Sequence, residues 1–198
     1  MNETVVINAY IVISIIIAAT DILLAVKSFK KNKTTGRFLG FACVGAAIVD
    51  ISYLISIISD SYMCMAAMSS IYFISIDFML VSLLIFTVYF TKGKFSEYGK
   101  WMVTFCFLYC IYELIVFAVN PFMEIAIEYK PRDTLIAKYS YQMKPLYELH
   151  LIFSYVMVLL VVGLLIRKIC KIPHEYRWQY LSVIIGILII VGSNAIFL

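Results

Sequence analysis

Four acidic side chains, Asp21, Asp50, Asp77 and Glu113, stand inside long apolar stretches whose interiors contain no Lys or Arg to neutralise them. A carboxyl group taken into hydrocarbon is costly. It is expected to face the interior of a helix bundle, where it clamps helices together, meets a ligand or relays a proton. Residues three, four and seven apart share one side of a helix. That spacing aligns Ser14, Ala18, Asp21 and Ala25; then Ala46, Asp50 and Tyr53; then Ser70 and Asp77. It also aligns Cys106, Tyr109, Cys110, Glu113 and Asn120, and further on Tyr147, His150 and Ser154. Faces that mix small with polar side chains suit close helix packing as well as they suit a ligand. Asp77, Glu113, Asn120, Tyr147, His150 and Ser154 form the expected ligand-contacting set. Asp21, Asp50, Tyr53 and Asn194 are expected to serve as intramembrane polar contacts.

Other chemistry is weakly signalled. The sequence has no kinase glycine loop, no GGDEF run and no nucleophile elbow, so no catalytic residue is expected. Met63, Cys64, Met65 and Met68 offer soft sulfur of the kind that holds Cu(I). Methionine in an apolar run more often serves adaptable packing, and no metal or other cofactor is expected. A bis-histidine haem is signalled more weakly still, because His150 and His174 should lie on opposite faces of the membrane. The five cysteines form no CxxC pair and suggest no disulfide. Gly36 and Gly40 bracket Arg37 at a membrane edge, which is poor ground for a dimer motif.

The elements that must position these groups follow from composition. The 198 residues are 64% hydrophobic and only 14% charged, far from the usage of a soluble domain of this length. A helix crosses the hydrocarbon with about 20 mostly apolar residues. Runs that qualify are Thr4 to Val26, Phe38 to Ser59, Tyr62 to Phe90, Trp101 to Asn120, Leu146 to Ile166 and Trp178 to Leu198. The expected fold is therefore an all-α membrane bundle of six transmembrane helices in a single domain spanning 1–198. The four prolines are expected between runs. The first run lacks a basic leader region and should be retained as a helix.

Charge orients the bundle. All 16 Lys and Arg fall outside the span interiors, and twelve of them lie in the first, third and fifth loops. The second loop, at Asp60, has none, and the fourth offsets its four with Glu124, Glu128 and Asp133. Basic loops stay on the cytoplasmic side, so the amino terminus is expected outside, with the chain in the cytoplasmic membrane. The net charge of +4 is then a topology signal and not a nucleic-acid surface. The fourth loop, 121–145, contains EIAIEY and TLIAKYSY around KPRD, compatible with a short external hairpin or an irregular cap. The chain stops inside the apolar run GILIIVGSNAIFL. A seventh helix leading to a cytoplasmic output domain is expected beyond it.

Three stretches, IYFISIDFMLVSLLIFTVYFT, KPLYELHLIFSYVMVLL and EYRWQYLSVIIGILIIVGSNAIFL, carry a resemblance across most of the chain. They are similar to the amino-terminal seven-helix sensor module of bacterial histidine kinases and diguanylate cyclases. The likeness rests on helix order and on Asp77, His150, Tyr155, Arg177, Gln179 and Asn194. It implies an input domain without catalysis of its own, answered by a cytoplasmic kinase or cyclase, and a homodimer formed through the helices or the output region.

On that reading the partners are the lipid bilayer and a small ligand that arrives from outside, beneath the fourth loop. The ligand would touch Glu113, Tyr147 and His150, with Asp77 deeper. A competing class is a proton- or cation-coupled permease built on acids of four helices. Against it stand the lack of an inverted repeat and of Gly or Pro interruptions in paired helices. A plain membrane anchor is the third reading, separable because neutralising every intramembrane acid would leave signalling intact.

Overall fold

The computed structural model describes residues 3–31, 33–132 and 137–197, with the side chains of 3–7, 98, 179 and 188–197 outside that description. The chain forms α1 (Glu3–Lys30), α2 (Thr34–Ile58), α3 (Tyr62–Lys92), α4 (Glu97–Met123), β1 (Ile127–Pro131), β2 (Tyr139–Met143), α5 (Pro145–Ile169) and α6 (His174–Phe197). Among the described residues, five helices, α1 to α5, are long and apolar enough to cross a membrane. The architecture is the expected all-α membrane bundle.

The helices run past the apolar stretches because a helix keeps its backbone hydrogen bonds closed into the interfacial zone, where polar side chains are tolerated. Lys27 and Lys30 occupy the last turn of α1, and Arg167 and Lys168 that of α5. Cations there meet the negative end of the helix dipole and can reach water along their stems. Ser61 and Ser96 cap α3 and α4, accepting from the backbone N–H groups of Cys64 and Gly99. Gly93 ends α3 in the left-handed region at φ 76.

One expectation is corrected. Pro121 does not lie between helices but inside the last turn of α4. Its ring removes the donor that would close on the Phe117 carbonyl. The helix survives for less than a turn more, and Glu124 adopts φ 49 with its N–H on the Asn120 carbonyl at 2.8 Å.

The fourth loop is a hairpin. β1 and β2 pair antiparallel, in register from Ile127 opposite Met143 to Pro131 opposite Tyr139. Its ties run to the α2–α3 end of the bundle. The Ala137 N–H donates to the Ile57 carbonyl at 2.8 Å, and Lys138 pairs with Asp60. Tyr62 donates to the Glu124 carboxylate, and the Tyr141 and Ser69 hydroxyls meet at 3.2 Å. The second and fourth loops therefore share one end of the molecule.

Helix α3 is the axis, packed against α2, α4 and α5, while α1 packs on α2 and α6 on α5. Lipid tails are as apolar as leucine, so close fit must hold these helices together. Gly45 lets α2 approach so near that a Cβ there would stand 3.0 Å from the Met79 Cβ and 3.1 Å from its Cα. Gly36 and Gly40 face Ser28 and Phe29 of α1 within the same chain. Two apolar clusters fill the bundle. One, toward the hairpin, joins Phe73, Phe117, Ile127, Tyr129 and Tyr147; the other joins Leu80, Leu84, Met157, Val161 and Leu165.

Candidate functional site

Between the two apolar clusters lies a polar centre built by three helices. Asp77 sits one turn past Phe73 on α3, Glu113 one turn before Phe117 on α4, and His150 one turn into α5 after Tyr147. Each residue thus occupies the step from the outer cluster to the inner one. His150 Nδ1 is 2.9 Å from Glu113 Oε2 in a hydrogen bond, and 3.5 Å from Asp77 Oδ1. All three side chains are 2% exposed or less.

The centre is electrostatically incomplete. Both Asp77 oxygens are buried and accept no hydrogen bond from the described residues. No Lys or Arg ion pair reaches the three among the described residues. Were both carboxyls ionised, a charged His150 would balance one and leave the other uncompensated in a low-dielectric interior. The Tyr109 hydroxyl lies near Glu113 without completing a hydrogen bond, and the Ser154 hydroxyl, one turn below His150, is also buried without a partner.

Aromatic rings close the outer side. His150 meets Phe73 and Phe117 edge-on, at centroid distances of 5.5 and 5.1 Å, and lies 6.0 Å from the Tyr147 ring. Phe73 and Phe117 stack at 4.8 Å. Between hairpin and triad the structure therefore holds a packed aromatic layer where the sequence led us to expect a space open to the outside. A solute reaching His150 from that side must move Phe73, Phe117 or Tyr147.

The six residues expected to contact ligand separate into two groups. Asp77, Glu113 and His150 converge, with Tyr147 as a wall and Ser154 one turn below. Asn120 does not join them. Its Oδ1 accepts from the N–H groups of Ala126 and Ile127 at 2.8 and 3.0 Å, and its Nδ2 donates to the Ile127 carbonyl and the Tyr129 hydroxyl. It fastens the strand to the end of α4. Burial in this fastening pushes the Tyr129 phenol above its ordinary pKa.

A second polar strip lies apart from the centre. Asp21 on α1 and Asp50 on α2 face each other, with Tyr10 and Tyr53 beside them. Ser14, Ala18 and Asp50 line a cavity of about 210 Å³ between those helices. Asn194 belongs to α6, but its side chain lies outside the described residues. Phe73 and Phe117 escaped sequence reasoning because an aromatic in an apolar run carries no sign that it faces a histidine.

The donor types at the centre also suit a metal ion, which the sequence did not suggest. One ligand atom from each of Asp77, Glu113 and His150 lies within 4.8 Å of the others. Among known proteins, a family model described as the N-terminal 7TM region of histidine kinase matches residues 9–198. No curated protein and no solved structure matches the chain.

Proposed function

We propose, from the premise that this chain belongs to the family of N-terminal 7TM regions of histidine kinases, that it senses through the Asp77–Glu113–His150 centre. The region is a multi-pass membrane input, and the catalysis belongs to the kinase. The observation that carries the reading is the buried Asp77 carboxylate of α3, which accepts no hydrogen bond from the described residues although α4 and α5 pack against that helix. A buried polar group without partners makes a packing arrangement costly. A ligand that supplies the missing positive charge or donor stabilises one arrangement of the three helices over another.

That difference is what a signal requires, since equal affinity for two states shifts neither. The hairpin end faces outward on this reading, by the basic character of the opposite loops, and the membrane is the cytoplasmic one. The signal is a small solute or ion from outside that passes the aromatic layer, and kinase pairing transmits it to the partner chain.

The test is autophosphorylation of the full-length kinase in lipid nanodiscs. Allosteric couplings commonly change an equilibrium by about fivefold or more. Glu113→Gln and His150→Ala should therefore shift basal autophosphorylation by at least about that factor. Activity indistinguishable from wild type in both variants removes the centre from signalling and favours a plain anchor.

A further inference from the structure

We infer that the Asp77–Glu113–His150 centre is a binding site for a divalent transition-metal ion of the zinc type, held by two carboxylate oxygens and the His150 Nδ1. The inference rests on the sensory reading only for its consequence, not for its chemistry, which the geometry of the three side chains supplies.

The donors fit such an ion in kind. Zinc is bound by His nitrogen and by Asp or Glu oxygen at about 2.0–2.2 Å, often by three protein ligands with one further position open. Two ligand atoms at that distance from a common tetrahedral ion stand about 3.4 Å apart. The observed separations from Nδ1 are 2.9 Å to Glu113 Oε2 and 3.5 Å to Asp77 Oδ1. The second already matches, the first needs to open by about half an ångström, and an oxygen of Asp77 and one of Glu113 lie within 4.8 Å of each other.

Charge makes the same selection. Two carboxylates and a neutral imidazole total −2, which one divalent cation cancels, and a neutral assembly is the least costly one inside a membrane. An Asp77 oxygen, which accepts no hydrogen bond from the described residues, becomes a ligand. Harder ions fit less well. Calcium takes 6–8 oxygens and magnesium keeps several waters in an octahedron, whereas Phe73 and Phe117 pack against His150 and leave little room for a wet shell. The three ligands come from three helices, so binding fixes α3, α4 and α5 in one spacing about the ion.

The experiment uses the full-length protein in lipid nanodiscs, stripped with a chelator and titrated with Zn2+ and Co2+. Wild type should bind one equivalent more than Asp77→Asn. Its Co2+ form should show the visible absorption of a nitrogen–oxygen site of low coordination number, and Asp77→Asn should lack it. Zn2+ should raise the unfolding temperature of wild type and leave that of Asp77→Asn unchanged. Asp77→Asn keeps the side-chain volume and removes a surplus charge, so its metal-free unfolding temperature should equal or exceed that of wild type. Equal stoichiometry in the two proteins overturns the site. Should the variant not fold, the Co2+ spectrum of wild type decides alone, and an octahedral aquo-like spectrum at one equivalent overturns it. Binding without any change in autophosphorylation leaves the metal site standing and sinks its sensory role. No binding, with autophosphorylation still altered in Glu113→Gln, does the reverse.

Discussion

At the residue scale, Asn120 and Asp77 show how differently two buried polar groups can be used. Asn120 has both amide atoms engaged, whereas neither Asp77 oxygen accepts a hydrogen bond from the described residues. Sequence spacing placed them alike, on inward faces. It could not tell them apart because partners come from elements distant along the chain. Asn120→Ala should leave the N–H groups of Ala126 and Ile127 and one carbonyl without partners, a loss on the order of 3 kcal/mol. Hydrogen exchange at Ala126 and Ile127 should quicken accordingly. Asn120→Asp, which keeps the two acceptor bonds, should fall between the variant and wild type. Exchange rates in the alanine variant that match wild type would show that the hairpin needs no such fastening.

Elements were the most legible level, for a plain physical reason. Hydrocarbon demands long apolar helices, and each of the six apolar runs overlaps one of α1 to α6, with ends that differ by up to four residues. The ends moved because lysine and arginine can extend a helix into the interface, which an apolar window does not count. Pro121 was misplaced because a proline near a helix end costs little beyond one hydrogen bond. The hairpin stayed ambiguous because short strands give a weak period, and its pairing is secured by contacts to α2 and α3 that spacing does not reveal. What no periodicity shows is how near two helices come. Gly45→Val should press on Met79 Cβ at 3.0 Å and its backbone nitrogen at 3.2 Å. Overpacking of this kind costs about 1–3 kcal/mol, read as a lower unfolding temperature in nanodiscs. Gly163→Ala is the matched control, since a Cβ there meets nothing within 4 Å. Its helix-propensity gain should leave stability equal or higher. Equal stability in wild type, Gly45→Val and Gly163→Ala would mean that α2 rides loosely on α3.

For the whole molecule, the arrangement turns on which end faces the cytoplasm. The hairpin end carries Asp60, Glu124 and Glu128, each held to a lysine or tyrosine of the same end. The opposite end gathers the last-turn cations of α1, α3 and α5, and Lys92, Arg167, Lys168 and Lys171 surround a cavity of about 200 Å³ there. Lys and Arg of short loops are retained on the cytoplasmic side of a membrane, and twelve of the sixteen lie in the first, third and fifth loops against four in the hairpin loop. Single cysteines placed at Lys33 and at Lys130, in a background where the five native cysteines are serine, give the two ends distinct handles. A membrane-impermeant maleimide applied to intact cells should label the cysteine at 130 and spare that at 33 until the cells are opened. The reverse pattern would put the aromatic layer over His150 on the cytoplasmic side, and the triad could then answer only to an internal solute. Labelling fixes the side from which the aromatic layer is approached, because His150 meets Phe73, Phe117 and Tyr147 on its hairpin side.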